Sequence, residues 1–387
     1  MYIKNIAEKS GIVYPLTMLN IAFTGGGTGG HIYPGLAVVS YIKKRSDCRI
    51  FWIGNESGMD RSIVEGAGLK FYGIPAGKLR RNFSLKNLSD LFRVLAGFLA
   101  ARRILKKERP AALFSKGGFV SVPPCAAAAS LGITVFTHES DYSPGLATGL
   151  NARFACRGRG GLITAYAETA ARFPSKYRER VFVLGNPVRS EFRNGDAAAG
   201  RAFLGASGSD RILLVLGGSQ GAREINGLIR ECLEDLCRDY LVIHQTGPAA
   251  DWDPPPSPRY RSYPYIKDEM SAVLAAAELV AGRSGAGTVW ECATAGKPMV
   301  LIPLAGSGTR GDQLENAGFF EKAGAALVIG PGPERNGKTL AGMIAALAAD
   351  HRRREAMAAA AAEIGAADGT ARIAEKILNT VNAVKEE

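Results

Sequence analysis

The chain has no C-x-x-C pair, no Walker lysine after a glycine loop, and no uninterrupted apolar run of the ~18 residues that a membrane-spanning helix needs. Its six cysteines (Cys48, Cys125, Cys156, Cys232, Cys237, Cys292) are scattered, which argues against a disulfide framework or a zinc site and fits a reducing cytoplasm. The opening "MYIKNIAEKSGIVYPLTMLN" lacks the apolar core of a signal peptide. Residues 1–17 are read as a tail, or as an upstream start, and given no function. One D-x-D pair, Asp251 and Asp253, stands directly before "PPPSP", where a solvated loop is favoured over a metal site. No other metal-ligand cluster is visible, so no metal and no cofactor is expected.

What is present is length, ordinary polarity and positive charge. At 387 residues, with 47% apolar and 22% charged, the chain suits a soluble two-domain enzyme. The net charge of +12 asks for an anionic partner, whether nucleic acid, nucleotide or anionic membrane. That charge concentrates between Lys78 and Arg109, where ten bases face two acids, Asp90 and Glu108. Leu91, Phe92, Leu95, Phe98 and Leu99 are interleaved with them. Such a segment reads either as a membrane-surface helix or as a half-buried helix with solvated bases. Nucleic acid is not favoured, because no recognised nucleic-acid-binding motif accompanies the charge.

Short apolar runs alternate with helical stretches, which predicts α/β architecture with parallel sheets. In the first half the strands read "NIAF", "RIFWI", "AALF", "TVFT" and "GLITAY". A proline-containing break follows at Gly185–Arg189, and the pattern restarts with "RILLVLGGSQGAREIN". The halves open alike, "IAFTGGGTGG" against "LLVLGGSQGA", which predicts two facing Rossmann-like domains with ligands at the carboxyl ends of the strands.

Gly25, Gly27 and Gly30 fit G-x-G-x-x-G between a strand and a helix. A nicotinamide site would place an acid at the end of the second strand, but "FWIGNESG" puts Glu56 beyond a glycine turn. What remains is a set of backbone N–H groups suited to a phosphate or pyrophosphate. His31, just inside the helix, could take a proton from a substrate hydroxyl or simply cap the helix. Downstream, "VAGRSGAGTVWE" predicts a strand, a Ser284–Gly287 turn and a helix beginning near Thr288, with Glu291 in its first turn. The turn suits a diphosphate, and Glu291 can accept both ribose hydroxyls. Asp312, Gln313 and Asn316 open another helix with side chains of the kind that read sugar hydroxyls.

Taken in order, "GGGTGGHIYPGLA", "SKGGFVSVP", "THESDYSPGL", "GNPVR", "GGSQGAREIN", "RSGAGTVWE" and "RGDQLENA" resemble the MurG family of N-acetylglucosaminyltransferases, from about Leu19 to the C-terminal helix. The resemblance implies a GT-B fold, two facing Rossmann-like domains with a deep cleft between them. Residues 18–187 plus 368–387 would hold the acceptor, undecaprenyl-linked lipid I, and associate with the membrane; residues 188–367 would bind UDP-GlcNAc. Thr28, Gly29 and Gly30 would meet the acceptor diphosphate and the sugar. Arg189 and Ser219 would contact the donor diphosphate, Ile266 would line the uracil pocket, and Ser284 with Ala286, Gly287, Thr288, Val289, Trp290 and Glu291 would form the donor turn. Gln313, with Asn316, would read the GlcNAc hydroxyls.

Two positions depart from the commoner pattern. Asp141 of "HESD" stands where many relatives have an asparagine that contacts the donor sugar, and Asp312 precedes Gln313 where relatives have two glutamines. The implied reaction is inverting transfer to a C4 hydroxyl, with His31 as base and Glu139 or Asp141 as alternatives. It serves peptidoglycan synthesis, and so cell-wall growth, shape and division. The implied location is the cytoplasmic face of the cell membrane, as a peripheral protein held to the anionic inner surface by Lys78–Arg109. Rival readings are a UDP-GlcNAc 2-epimerase, a diacylglycerol glycosyltransferase, an inactive UDP-sugar-binding protein and a hydride-transfer enzyme.

Overall fold

The computed structural model describes residues 19–77, 86–218, 221–248, 257–306 and 311–386. The tail 1–17, Ser219, the Asp251/Asp253 pair and Lys78–Leu85 of the basic segment lie outside the described residues. Within them the strands form two all-parallel sheets. The first contains β1 (Leu19–Thr24), β2 (Cys48–Asn55), β3 (Lys70–Ile74), β4 (Ala112–Ser115), β5 (Thr134–Glu139), β6 (Gly161–Thr164) and β7 (Val181–Val183), in the order 3-2-1-4-5-6-7. The second contains β8 (Ile212–Leu216), β9 (Leu241–Gln245), β10 (Tyr260–Tyr263), β11 (Leu279–Gly282), β12 (Met299–Leu301) and β13 (Ala326–Val328), in the order 10-9-8-11-12-13.

Helices cover both faces of each sheet, so the central strands read as continuous apolar runs; every residue of β8, "ILLVL", is buried. The two-residue period assigns alternate side chains to opposite faces. In β1, Ile21 and Phe23 join one core cluster and Ala22 the other. β3 was not anticipated from the sequence, because "KFYGI" is a short edge strand interrupted by Gly73. β7, three residues long, lies directly before the proline-containing break.

The C-terminal helix, Gly369–Glu386, crosses back to the first sheet. Ile373, Ile377 and Val381 are buried in the same cluster as Ile21, Trp52 and Phe114. Each such side chain contributes roughly 1.5–3 kcal/mol by burial, which makes this helix part of the first core.

In each sheet the strand order reverses once at the centre, between β1 and β4 and between β8 and β11. Ligands of doubly wound sheets bind outside the carboxyl ends at that switch. There the first sheet carries Gly25–Gly30 and Lys116–Gly118, and the second carries Gly217–Gly218 and Arg283–Gly287.

Candidate active site

Between β11 and the helix Ala286–Thr294 lies the turn Arg283–Gly285, and the helix N-terminus opens into a cavity of about 350 Å³. The unpaired N–H groups of a helix start attract anions. Cβ atoms placed on Gly285 or Gly287 would meet no protein atom within 4 Å, and φ at Gly285 is −63°. Packing and backbone geometry therefore do not demand glycine here; the bare backbone leaves room for a ligand. Leu216, Gln245, Ile266 and Met270 line the same cavity. Gln245 accepts a hydrogen bond from Ile266 N–H at 2.9 Å and donates to the Gly218 carbonyl at 3.3 Å, fixing two of the loops.

Gly29, Gly30 and His31, the first turn of the helix Gly29–Arg45, face this cavity from the first domain. Thr28 is the exposed residue preceding that helix and makes no side-chain cap bond. A second cavity, about 290 Å³, lies in the first domain among His31, Phe119, Glu139, Asp141 and Leu146. His31 and Asp141 border both cavities. A Cβ on Gly118 would come within 3.3 Å of His31 Nε2, so glycine there gives the imidazole its space.

Arg189 reaches the cleft from the connection between the domains. Its guanidinium lies 4.7 Å from the ring centre of Phe192 and 5.6 Å from that of Tyr33, and Nη2 is 3.9 Å from Glu291 Oε1. Stacking on two rings holds this cation at the mouth of that cavity. Burial in the cleft wall pushes the Glu291 carboxyl up to about 7, and Arg189 offsets part of that rise.

The structure places several of the expected residues away from the cavity. The second-domain helix begins at Ala286 rather than near Thr288, so Glu291 sits in its second turn. With that start Gly287, Thr288 and Glu291 line the cavity, whereas Val289 and Trp290 turn into the core and Trp290 Nε1 donates to Tyr166 Oη at 3.0 Å. Ser284 is fully buried, and its hydroxyl donates to the Gln313 carbonyl at 2.7 Å; it does not line the cavity. Gln313 in turn accepts from Leu304 N–H at 2.9 Å through Oε1.

Asn316 is also fully buried. Its Oδ1 accepts from Tyr142 N–H at 2.9 Å, while Nδ2 donates to Asp141 Oδ1 at 3.1 Å and to the Ser284 carbonyl at 3.2 Å. An amide so engaged clasps the two domains. Glu139 changes likewise, because its two oxygens accept from Asp141 N–H at 3.1 Å and Gly145 N–H at 2.8 Å. Burial and the neighbouring Asp141 push its carboxyl up. These bonds anchor the turn, and Glu139 borders the first-domain cavity together with His31 and Asp141.

Other residues carry more than their sequence context suggested. Buried Asp60 accepts from Gly27 N–H at 2.9 Å and Asn55 N–H at 3.0 Å, so it sets the shape of the first glycine loop. A Cβ on Gly26 would lie 1.9 Å from Asp60 Oδ2, which explains that glycine by packing alone. Lys116 of "SKGG" is buried behind the junction and donates to Ser140 Oγ. Among the described residues, no group of three or more His, Cys, Asp or Glu side chains is placed to hold a metal ion.

Two parallel α/β domains joined across a cleft, with a pyrophosphate-ready helix start on one side and a histidine turn on the other, define a GT-B glycosyltransferase. The chain belongs to glycosyltransferase family 28. Models of that family's N-terminal and C-terminal domains match residues 21–157 and 212–376. It is 48% identical over 329 residues to the UDP-N-acetylglucosamine--N-acetylmuramyl-(pentapeptide) pyrophosphoryl-undecaprenol N-acetylglucosamine transferase of Treponema denticola, covering 80% of this chain and 83% of that protein. The identically named protein of Shouchella clausii is 43% identical over 314 residues, covering 81% of this chain and 86% of its own. Among solved structures, Acinetobacter baumannii MurG superposes with a TM-score of 0.70 at 24% identity, covering 93% of this chain and 99% of that one. A Listeria monocytogenes structure described as a UDP-N-acetylglucosamine 2-epimerase shares the fold at a TM-score of 0.68 and 15% identity, over 95% of this chain and 97% of its own.

Proposed function

We infer that the protein transfers N-acetylglucosamine from UDP-GlcNAc to the C4 hydroxyl of undecaprenyl-pyrophosphoryl-MurNAc-pentapeptide, lipid I, giving lipid II for peptidoglycan synthesis. Relatives 39–48% identical over about 80% of the chain carry that activity in their names, which supports the reading. The observation that carries it in this molecule is the junction: His31 and Asp141 belong to both the donor cavity and the first-domain cavity.

UDP-GlcNAc lies with its uracil beside Ile266 and its ribose on Glu291, and its diphosphate meets the Ala286 helix start and Arg189. The acceptor sits in the first-domain cavity with its diphosphate toward Thr28–Gly30. His31 takes the proton from the C4 hydroxyl as that oxygen attacks the anomeric carbon and UDP leaves from the opposite face, inverting α to β. Asp141 is the alternative acceptor of that proton. The helix dipole and the Arg189 cation stabilise the charge growing on UDP.

The acceptor's lipid keeps the reaction at the bilayer, and the helix Lys86–Glu108 supplies a docking face. Its inner side, Ala101 and Leu105, packs on the first core. Outward, Leu91, Phe92, Leu95 and Leu99 are 56%, 66%, 54% and 49% exposed, beside Arg93, Arg103, Lys106 and Lys107. An apolar ridge flanked by bases suits insertion into an anionic interface, which supports the reading of a peripheral enzyme on the cytoplasmic face. No helix among the described residues is long and apolar enough to cross a membrane.

Incubation with UDP-GlcNAc and a lipid I analogue tests the reaction. A β-linked disaccharide formed with stoichiometric UDP supports it; an epimerised UDP-sugar, or no product, overturns it.

A further inference from the structure

The carboxylate of Glu224, in the first turn of the helix Arg223–Asp239, takes a different guanidinium on each oxygen. Arg283 Nη1 lies 2.7 Å from its Oε2, and Arg335 Nη1 lies 3.1 Å from its Oε1. Both arginine side chains are more than nine-tenths buried, while Glu224 is partly open to solvent. Each arginine also holds backbone. Arg283 donates to the Ile302 carbonyl at 3.0 Å, just past β12, and Arg335 donates to the carbonyls of Ile329 and Gly330 at 3.1 Å each, just past β13. One carboxylate thus ties the segments that follow β8, β11, β12 and β13, four neighbours in the second sheet.

Two of those segments wall the donor cavity. Leu216 and Gly218 line it from the end of β8, and Gly285, Ala286 and Gly287 line it from the turn after β11. Arg283 opens that turn, and its N–H donates to the Leu216 carbonyl at 3.1 Å. Glu224, Arg283 and Arg335 themselves stand behind the wall and do not line the cavity.

We propose that Glu224 is a positioning residue for the donor, because its carboxylate balances Arg283 and Arg335 and so sets the spacing between the β8 loop and the β11 turn. A buried guanidinium without a counter-ion is costly, and two of them held side by side repel. Without the acid the arginines move apart, and Arg283 carries the backbone of Ser284 and Gly285 with it. The anion-binding N–H groups at the Ala286 helix start then lose their alignment with the β8 loop. His31 and the first-domain cavity take no part in this linkage, so the effect falls on donor binding rather than on turnover of bound donor.

The inference rests on the donor-site reading, which UDP binding by the wild type checks separately. The Kd for UDP by calorimetry, kcat, both KM values and the unfolding midpoint are measured for wild type, for Glu224→Gln, and for Glu224→Gln combined with Arg335→Gln. The single variant is expected to bind UDP about tenfold more weakly and to raise the KM for UDP-GlcNAc by about the same factor, with kcat and the acceptor KM within about twofold of wild type. Removing the second cation leaves Arg283 with no like charge beside it. The double variant should therefore recover to within about threefold of wild type, where independent losses would multiply. A lower midpoint with unchanged UDP binding marks an ion pair that serves stability alone, and overturns the proposal. Tighter UDP binding, as a released cation reaching the diphosphate would give, also overturns it, as does a double variant weaker than the single one. Should Glu224→Gln fail to fold, the double variant decides: folded with UDP affinity near wild type supports the proposal, and any other result overturns it. A wild type that binds no UDP overturns the donor-site reading itself.

Discussion

The side-chain amide of Asn316 donates to Asp141 Oδ1 at 3.1 Å, tying the second domain to the first where the two cavities meet. Around it Tyr142, Tyr166, Phe319 and Trp290 form an aromatic cluster spanning both domains, with Tyr166 and Phe319 ring centres 4.7 Å apart. The clasp thus positions Asp141 relative to the helix Ala286–Thr294. Asn316→Ala strands the Tyr142 N–H and loosens Asp141. A stability loss of about 1–3 kcal/mol is expected, read as a lower unfolding midpoint, together with a lower kcat.

His31 borders both cavities; on the proposed mechanism its loss removes proton transfer and leaves the donor contacts intact. His31→Ala should lower kcat by roughly 10²–10⁴, with the KM for UDP-GlcNAc little changed. Steady-state kinetics at saturating acceptor make the distinction.

Glu291 predicts a pH dependence of donor binding. Its carboxyl is raised to about 7, so the charged form, proposed to accept the ribose hydroxyls, dominates above that pH and is lost below it. The Kd for UDP-GlcNAc, whose diphosphate diester does not titrate in this range, should rise about tenfold between pH 8 and pH 6. Glu291→Gln should bind the donor more weakly at pH 8 and show a flat profile. Calorimetric titration at several pH values gives both results.

The helix Lys86–Glu108 makes a prediction for the membrane. Phe92→Glu with Leu95→Glu places charge on the exposed ridge without touching the core side at Ala101 and Leu105. Cosedimentation with anionic vesicles should fall at least about tenfold, while turnover of a water-soluble acceptor analogue should stay near wild type.

Much of this was legible in the sequence because it depends on local chemistry. Both glycine turns, the β8 and β11 runs and the Arg189 connection are contiguous stretches whose residue types dictate their geometry. What was not legible depends on distance or on one-turn accuracy. Asp60 shapes Gly27 from 33 positions away, and Asn316 meets Asp141 across 175. No spacing rule connects either pair. The inward turn of Val289 and Trp290 follows from a helix starting at Ala286, two residues before the expected start. Ser284 and Gln313 hold each other because a polar side chain in a turn satisfies buried backbone before it can meet a ligand.

The most direct measurement is UDP release from UDP-GlcNAc with and without a lipid I analogue, in wild type and in His31→Ala. The account predicts release that requires the acceptor and falls at least about 10²-fold in the variant. Release that ignores the acceptor would contradict the transferase; acceptor-dependent release untouched by the variant would contradict His31 as the base.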